Sequence, residues 1–148
     1  MPIVTTQYKV NGVSAPVALQ LDGPRIRVLV APPPAKNAQN AAAEISASGK
    51  LMWALIDTGA DHGCIDEKVA TDLGLRIVDR QKICGVGGER DHNFYLGSLF
   101  VQALESAFIG ALIGVSLDER TPVILGRDFL RDKLMFYDGK NGSIIVTC

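Results

Sequence analysis

In Ala54-Leu55-Ile56-Asp57-Thr58-Gly59-Ala60-Asp61 an acidic residue follows three apolar ones, and the chain then turns through glycine into small and acidic residues. A carboxylate delivered out of an apolar run is costly to ionise if it stays in the core, so it either emerges at a surface or is held for chemistry. An aspartate that merely caps a turn is the blander use of Asp before Thr-Gly. Peptide hydrolysis with neither a metal nor a nucleophilic side chain needs one group to take a proton from water and another to give one to the departing amine. Two carboxylates within hydrogen-bonding distance do both, because mutual repulsion keeps one protonated while the other is ionised. The sequence holds one Asp-Thr-Gly and no Asp-Ser-Gly, so Asp57 cannot supply both groups from a single chain. A two-fold homodimer would, since it sets the same residue of each chain opposite itself.

Other chemistries have less to stand on. Cys64, Cys84 and Cys148 are odd in number, widely spaced and without a C-x-x-C arrangement, which argues against a disulfide framework and a zinc site. His62 and His92 are the only histidines, and with no H-E-x-x-H and no G-x-S-x-G the expectation is no metal, no cofactor and no serine nucleophile. Cys64 lies near His62 in sequence, but adjacency does not make a dyad. Gly85-Val86-Gly87-Gly88 lacks the lysine and hydroxyl residue of a phosphate loop. With 15 basic against 16 acidic side chains, nothing draws the chain to nucleic acid or to an anionic membrane, and neither partner is expected. Phe108 to Val115, the longest apolar stretch, is interrupted by two glycines and is far short of the ~20 residues that span a bilayer. The first residues show no basic segment followed by an apolar one, so a cytoplasmic protein without a secretion signal is expected.

The elements that must position Asp57 read as mainly β. A chain of 148 residues, 47% of them hydrophobic, has the material for a single domain over 1–148 with one core. Val4, Thr6, Tyr8 and Val10 alternate with other residues up to Asn11-Gly12, and Val17, Leu19 and Leu21 alternate after it, the pattern of a hairpin. Ile26 to Val30 and Leu51 to Ile56 read as strands, the second feeding Asp57. Between them an Ala/Pro/Asn-rich insertion at about 32–49 is longer than the ~12 to 15 residues usual for a structureless loop. It either stays a mobile loop or folds a short helix around Ala41 to Ala47. Asp66 can cap a helix with Val69, Ala70 and Leu73 inward and Gly74 as its stop. Further strands are expected at Arg76 to Val78, around Ile83, and at Phe94 to Leu104, Phe108 to Val115 and Val123 to Leu125. Asp128 to Lys133 offers a helical turn or two, and a last hairpin joins Leu134 to Tyr137 with Ile144 to Thr147 across Asn141-Gly142. So many short strands suggest a closed barrel with one or two short helices.

Two segments together, Asp57-Thr58-Gly59-Ala60 and the later Val123-Ile124-Leu125-Gly126-Arg127-Asp128, resemble the signature of the retropepsin-like aspartic proteases, in that family's order. The resemblance spans roughly Leu51 to Tyr137. It implies an acid-protease-like barrel with one lobe per chain, a homodimer, and an aspartic endopeptidase whose two Asp57 carboxylates activate a water against a peptide substrate. It further implies that Thr58 bonds across to the partner's loop, that Gly59 lets backbone approach the substrate, and that Ala60 leaves the carboxylate without a nearby hydroxyl donor. Asp61 and Arg127 match a supporting ion pair of the family. Gly59, Ala60, Asp61 and His62 would meet substrate, with Val86, Gly87 and Gly88 over them as the tip of a flap, although Glu89-Arg90-Asp91-His92 stands where viral members continue with apolar residues. An exposed loop histidine is the alternative for His62, and an ordinary hairpin turn the alternative for the glycine run. A non-catalytic dimeric module that keeps the cleft and binds extended peptides is the main alternative for the whole chain, and an assembly domain with a vestigial cleft is the third. The dimer contact is expected at exposed strand edges, Ile3 to Val10 or Ser143 to Thr147.

Overall fold

The computed structural model describes residues 2–7, 12–36 and 39–148. Among them the elements run β1 Ile3–Gln7, α1 Ala15–Asp22, β2 Arg25–Ala31, α2 Ala41–Ser48, β3 Lys50–Ile56, β4 Cys64–Asp66, α3 Glu67–Asp72, β5 Arg76–Gly85, β6 Gly88–Val101, β7 Ser106–Val115, β8 Val123–Leu125, α4 Arg127–Leu130, β9 Leu134–Asp138 and β10 Ser143–Thr147, with a 3₁₀ turn at Gln102–Leu104. The mainly β class and the closed barrel expected from the sequence are what is found. Strands β2, β3, β8, β4, β7 and β6 pair in that order, and β6 returns to β2 through Leu29 opposite Phe100 and Val30 opposite Leu99. β5 hangs from β6 as an outer arm, and β1, β10 and β9 form a separate three-stranded sheet.

Alternation along β2 and β3 builds the core. Ile26, Val28 and Val30 point inward with no exposed surface, and the register sets Ala54 against Ile26 and Met52 against Val28. The other face of β2 is covered too: Leu29 and Ala31 form a small second cluster with Phe100 and with Ile45 of α2. The 32–49 tract therefore folds a helix where Ala41 to Ala47 suggested one. Asn40 caps it by accepting from the Ala43 N–H at 3.0 Å, and the buried Ile45 contributes about 1.5–3 kcal/mol of apolar transfer. At α3, one Asp66 carboxylate oxygen accepts from the N–H groups of Lys68 and Val69, and Gly74 takes φ 66°, as the sequence predicts.

Two expectations are corrected. The second arm of the N-terminal hairpin is the helix α1: of Val17, Leu19 and Leu21 only Leu19 is buried, and the buried Ala18 and partly buried Ala15 lie one and four residues before it, a helical spacing. Pro16 stands in the first turn, where its missing N–H costs nothing, and Gly23 closes the helix at φ 71°. The helices are thus more numerous than the one or two read from the sequence. Tyr8, Val10 and Asn11 lie outside the described residues. The second correction concerns the terminal strands, since β10 is not an edge but lies between β1 and β9; the edges are β1 and β9. No described helix is long and apolar enough to cross a membrane.

Candidate active site

Asp57 follows directly on β3, at the end of the barrel where β3 and β8 run parallel through Ile56 and Leu125. Its backbone N–H donates to the Leu125 carbonyl at 3.0 Å, and Ala60 N–H closes a turn onto the Asp57 carbonyl at 3.2 Å. Inside that turn the Gly59 N–H donates to Asp57 Oδ1 at 2.8 Å. A Cβ on Gly59 would sit 3.1 Å from the same oxygen, so glycine here leaves the carboxylate room. The side chain is half-exposed and opens into a cleft.

The start of α4 braces the loop. Arg127 N–H donates to the Ala60 carbonyl at 2.9 Å and Asp128 N–H to that of Asp61 at 3.2 Å. The Arg127 guanidinium reaches the Thr58 carbonyl at 2.9 Å. Gly126 is required by closeness and not by its dihedral, because a Cβ there would come within 2.6 Å of the His62 backbone. The expected ion pair of Asp61 with Arg127 does not form: among the described residues Arg127 turns its charge onto a backbone carbonyl, and Asp61 joins this segment through its own carbonyl. The carboxylate that does bridge the two segments is Asp128. Its Oδ2 accepts from the Gly63 N–H at 3.0 Å, its Oδ1 from the Phe129 N–H at 2.8 Å, and His62 Nδ1 stands 3.9 Å from Oδ2.

Over this floor lies the β5–β6 hairpin. Gly85 pairs with Gly88 across the turn at Val86 and Gly87, and Gly88, which follows that turn, takes φ 93°, a conformation glycine adopts without steric cost. Asp57, Gly59, Ala60, Asp61 and His62 below and Gly85, Gly87 and Gly88 above line a common cleft of about 460 Å³. Val86 departs from expectation, being fully exposed at the tip and absent from the lining, because the turn projects it into solvent. Thr58 is likewise exposed and outside the cleft. Arg90, His92, Ile83 and Cys84 line the cleft without having been singled out. The signal for the first two was available: counted from Gly88, every second residue of a strand shares its face, which brings in Arg90 and His92. His92 Nδ1 is fixed 2.8 Å from the Gly114 carbonyl.

Cys64 forms part of the cleft wall beneath the hairpin. Burial first, and then the carboxylates of Asp128, Asp57 and Asp61, push its thiol from 9.0 up to about 11, so at neutral pH it is a protonated, weakly nucleophilic thiol.

Residues 37–135 match the sequence profile of a family described as retroviral aspartyl protease. Among solved structures the chain is similar to EIAV protease complexed with the inhibitor HBY-793, at 20% identity and a TM-score of 0.50, over 74% of this chain and 86% of that one. It is also similar to the protease of simian foamy virus (mac), at 15% identity and TM-score 0.47 over 73% of this chain and 92% of that one. A retropepsin-like aspartic protease from Rickettsia conorii is similar at 14% identity and TM-score 0.45, over 97% and 89% of the two chains. No curated protein matches the sequence.

Proposed function

The chain belongs to the retroviral aspartyl protease family, and we propose that it is an aspartic endopeptidase that works as a homodimer, each chain giving one Asp57. The observation that carries this reading is the seat of Asp57, whose carboxylate is held by the Gly59 N–H at 2.8 Å and opens into a cleft under a hairpin. In the proposed dimer the two carboxylates share one water. The ionised one takes a proton as the water oxygen bonds to the substrate carbonyl carbon, and the protonated one gives its proton to the carbonyl oxygen. Collapse of that gem-diol adduct breaks the C–N bond as the departing amine takes the pair's proton, and one hydroxyl of the adduct gives its proton back to the pair as the carboxyl product forms, which returns the pair to one proton.

In this reading Gly59, Ala60, Asp61 and His62 face the peptide from below. Gly87 and Gly88 face it from the β5–β6 hairpin, which serves as the flap, with Arg90 and His92 added to the assigned lining. Thr58, exposed beside the site, is left to meet the partner's loop. Residues 1–148 form one protease lobe, the 32–49 tract being an insertion that carries α2. The self-association takes support from the three-stranded sheet of β1, β10 and β9, whose outer face leaves Ile3, Leu134, Phe136 and Ile145 exposed, apolar side chains that a second chain would cover. Free Cys64, Cys84 and Cys148 suit a cytoplasmic setting.

A diverse peptide pool incubated with the chain beside its Asp57→Asn variant, and read for new termini by mass spectrometry, tests the reading. Cleavage that requires Asp57 and scales with the dimer fraction in sedimentation is the expected result. No cleavage by a dimeric protein would leave a peptide-binding module, and Asp57-dependent cleavage by a strict monomer would defeat the two-chain mechanism.

A further inference from the structure

β3 is longer than the strand that flanks it. β2 pairs with it from Lys50 to Leu55, but β8 reaches only Ala54 to Ile56. Among the described residues no strand pairs with Lys50 to Trp53 on the side away from β2, so this backbone is an open strand edge. A cleft of about 490 Å³ lies along it, between β3 and the approach to β8 at Glu119 to Pro122. It shares no lining residue with the cleft over Asp57.

Positive charge prevails around that edge. Arg25, Arg27, Lys50 and Arg120 line the cleft against Glu119 alone. Arg25 and Arg120 already pair with Asp22 and Asp118, neither of which lines it, whereas Arg27 and Lys50 form no ion pair with a described residue. Trp53 stands directly across the sheet from Arg27, and the guanidinium groups of Arg27 and Arg25 lie 4.9 and 5.4 Å from its ring centroid. Such stacking fixes two long cationic side chains at the rim before any ligand arrives. Leu51, 46% exposed, adds an apolar step beside Trp53 and continues into a second hollow that Arg27, Leu51 and Trp53 also line.

We propose that the open Lys50–Trp53 edge of β3 is a second peptide-binding site, which takes an extended acidic segment as an added strand and meets its carboxylates with Arg27 and Lys50. Main-chain hydrogen bonds to a strand edge supply affinity without regard to sequence, and the flanking side chains supply the selection. Here they select for acidic residues interleaved with apolar ones. The site stands whether or not the chain is a protease, since it uses neither Asp57 nor the hairpin.

Trp53 is the only tryptophan of the chain, so its emission reports on the site directly. The Asp57→Asn protein, in which hydrolysis plays no part, is titrated with the hexapeptide Glu-Val-Glu-Val-Glu-Val and followed by emission and calorimetry. Expected is a saturable response that weakens as salt is raised and is at least about tenfold weaker in Arg27→Glu and in Lys50→Glu. The two variants are made separately, each checked for the parent circular dichroism, so that one misfolded protein does not decide the matter. No response, or equal binding of the Lys-Val counterpart, overturns the proposal. So does equal binding of a peptide N-methylated at alternate residues, which would remove the strand addition. A response to orthophosphate or to a short oligonucleotide that matches the peptide's would show a general anion site and would overturn it as well.

Discussion

The Arg127 guanidinium donates to the carbonyl oxygen of Thr58 at 2.9 Å, while the Arg127 backbone N–H donates to that of Ala60 at 2.9 Å. One residue of α4 thus grips the loop on both sides of Gly59, whose N–H holds the Asp57 carboxylate. The position of that carboxylate depends on a contact made 70 residues later in the sequence.

Replacing Arg127 by alanine removes the first bond and leaves the second. Because the side chain is exposed, the expected loss of stability is small, about 1 kcal/mol, and not the larger cost of breaking a buried ion pair. Turnover of a cleaved peptide should drop further than stability does, since the loop carrying Asp57 loosens. Urea midpoints and kcat/KM, measured side by side, check this; a variant equal to the parent in both would show that the bond is idle.

Two glycines separate closeness from flexibility. Gly126→Ala places a Cβ 2.6 Å from the His62 backbone carbon and 3.0 Å from the Ala60 carbonyl oxygen, so the two segments must part, at an expected cost of about 1–3 kcal/mol. Gly87→Ala meets nothing within 4 Å and should stay within about 0.5 kcal/mol of the parent. Thermal unfolding of the pair decides it, and equal melting would contradict the close approach.

Asp128→Ala takes the acceptor from the Gly63 N–H, and an unsatisfied, partly buried donor costs about 1–3 kcal/mol. Amide exchange at Gly63 should speed up while exchange in the core of β2 and β3 holds. Unchanged protection at Gly63 would mean that the Asp128 bond at 3.0 Å does not persist in solution.

The Cys64 thiol gives a pH dependence whose sign can be worked out. Its folded-state value, raised from 9.0 to about 11, means that the folded chain keeps a proton the unfolded chain has released. The stabilisation this represents is complete below 9 and is lost as pH rises toward 11. Cys64→Ala should flatten the fall in denaturant midpoint over that window. Identical slopes in both proteins would place Cys64 in a wetter setting.

What the sequence made legible is what periodicity and short motifs encode. The alternation of Ile26, Val28 and Val30 gave β2, Asp66 with Gly74 gave both ends of α3, and Asp57-Thr58-Gly59 with Gly126-Arg127 gave the two segments that the fold places side by side. Val17, Leu19 and Leu21 misled because alternation records only polarity, and two of the three turn to solvent. The Asp61–Arg127 pair misled for a different reason: the sequence brings the segments together but does not say where a long guanidinium points, and a carbonyl lay within its reach. Asp128 escaped notice because its work is done for backbone N–H groups, which leave no mark on side-chain patterns. The bounds of β8, Val123 to Leu125, are legible as they stand; that β3 runs on past it to Lys50 without a strand on that side is not, since register is set between strands and not within one.

β1 has one strand partner among the described residues, and it is β10, with Ile3 opposite Thr147. During synthesis every strand from β2 to β9 emerges between β1 and its partner, so the ladder groups of β1 stay unmet until β10 follows. The nascent chain therefore carries a strand-forming segment available to any other edge it encounters, on a neighbouring nascent chain or on a chaperone. Closing a loop of that length is also slow relative to local pairing, so the terminal sheet is expected to form last, and refolding should show barrel signals ahead of protection at Ile144 and Val146.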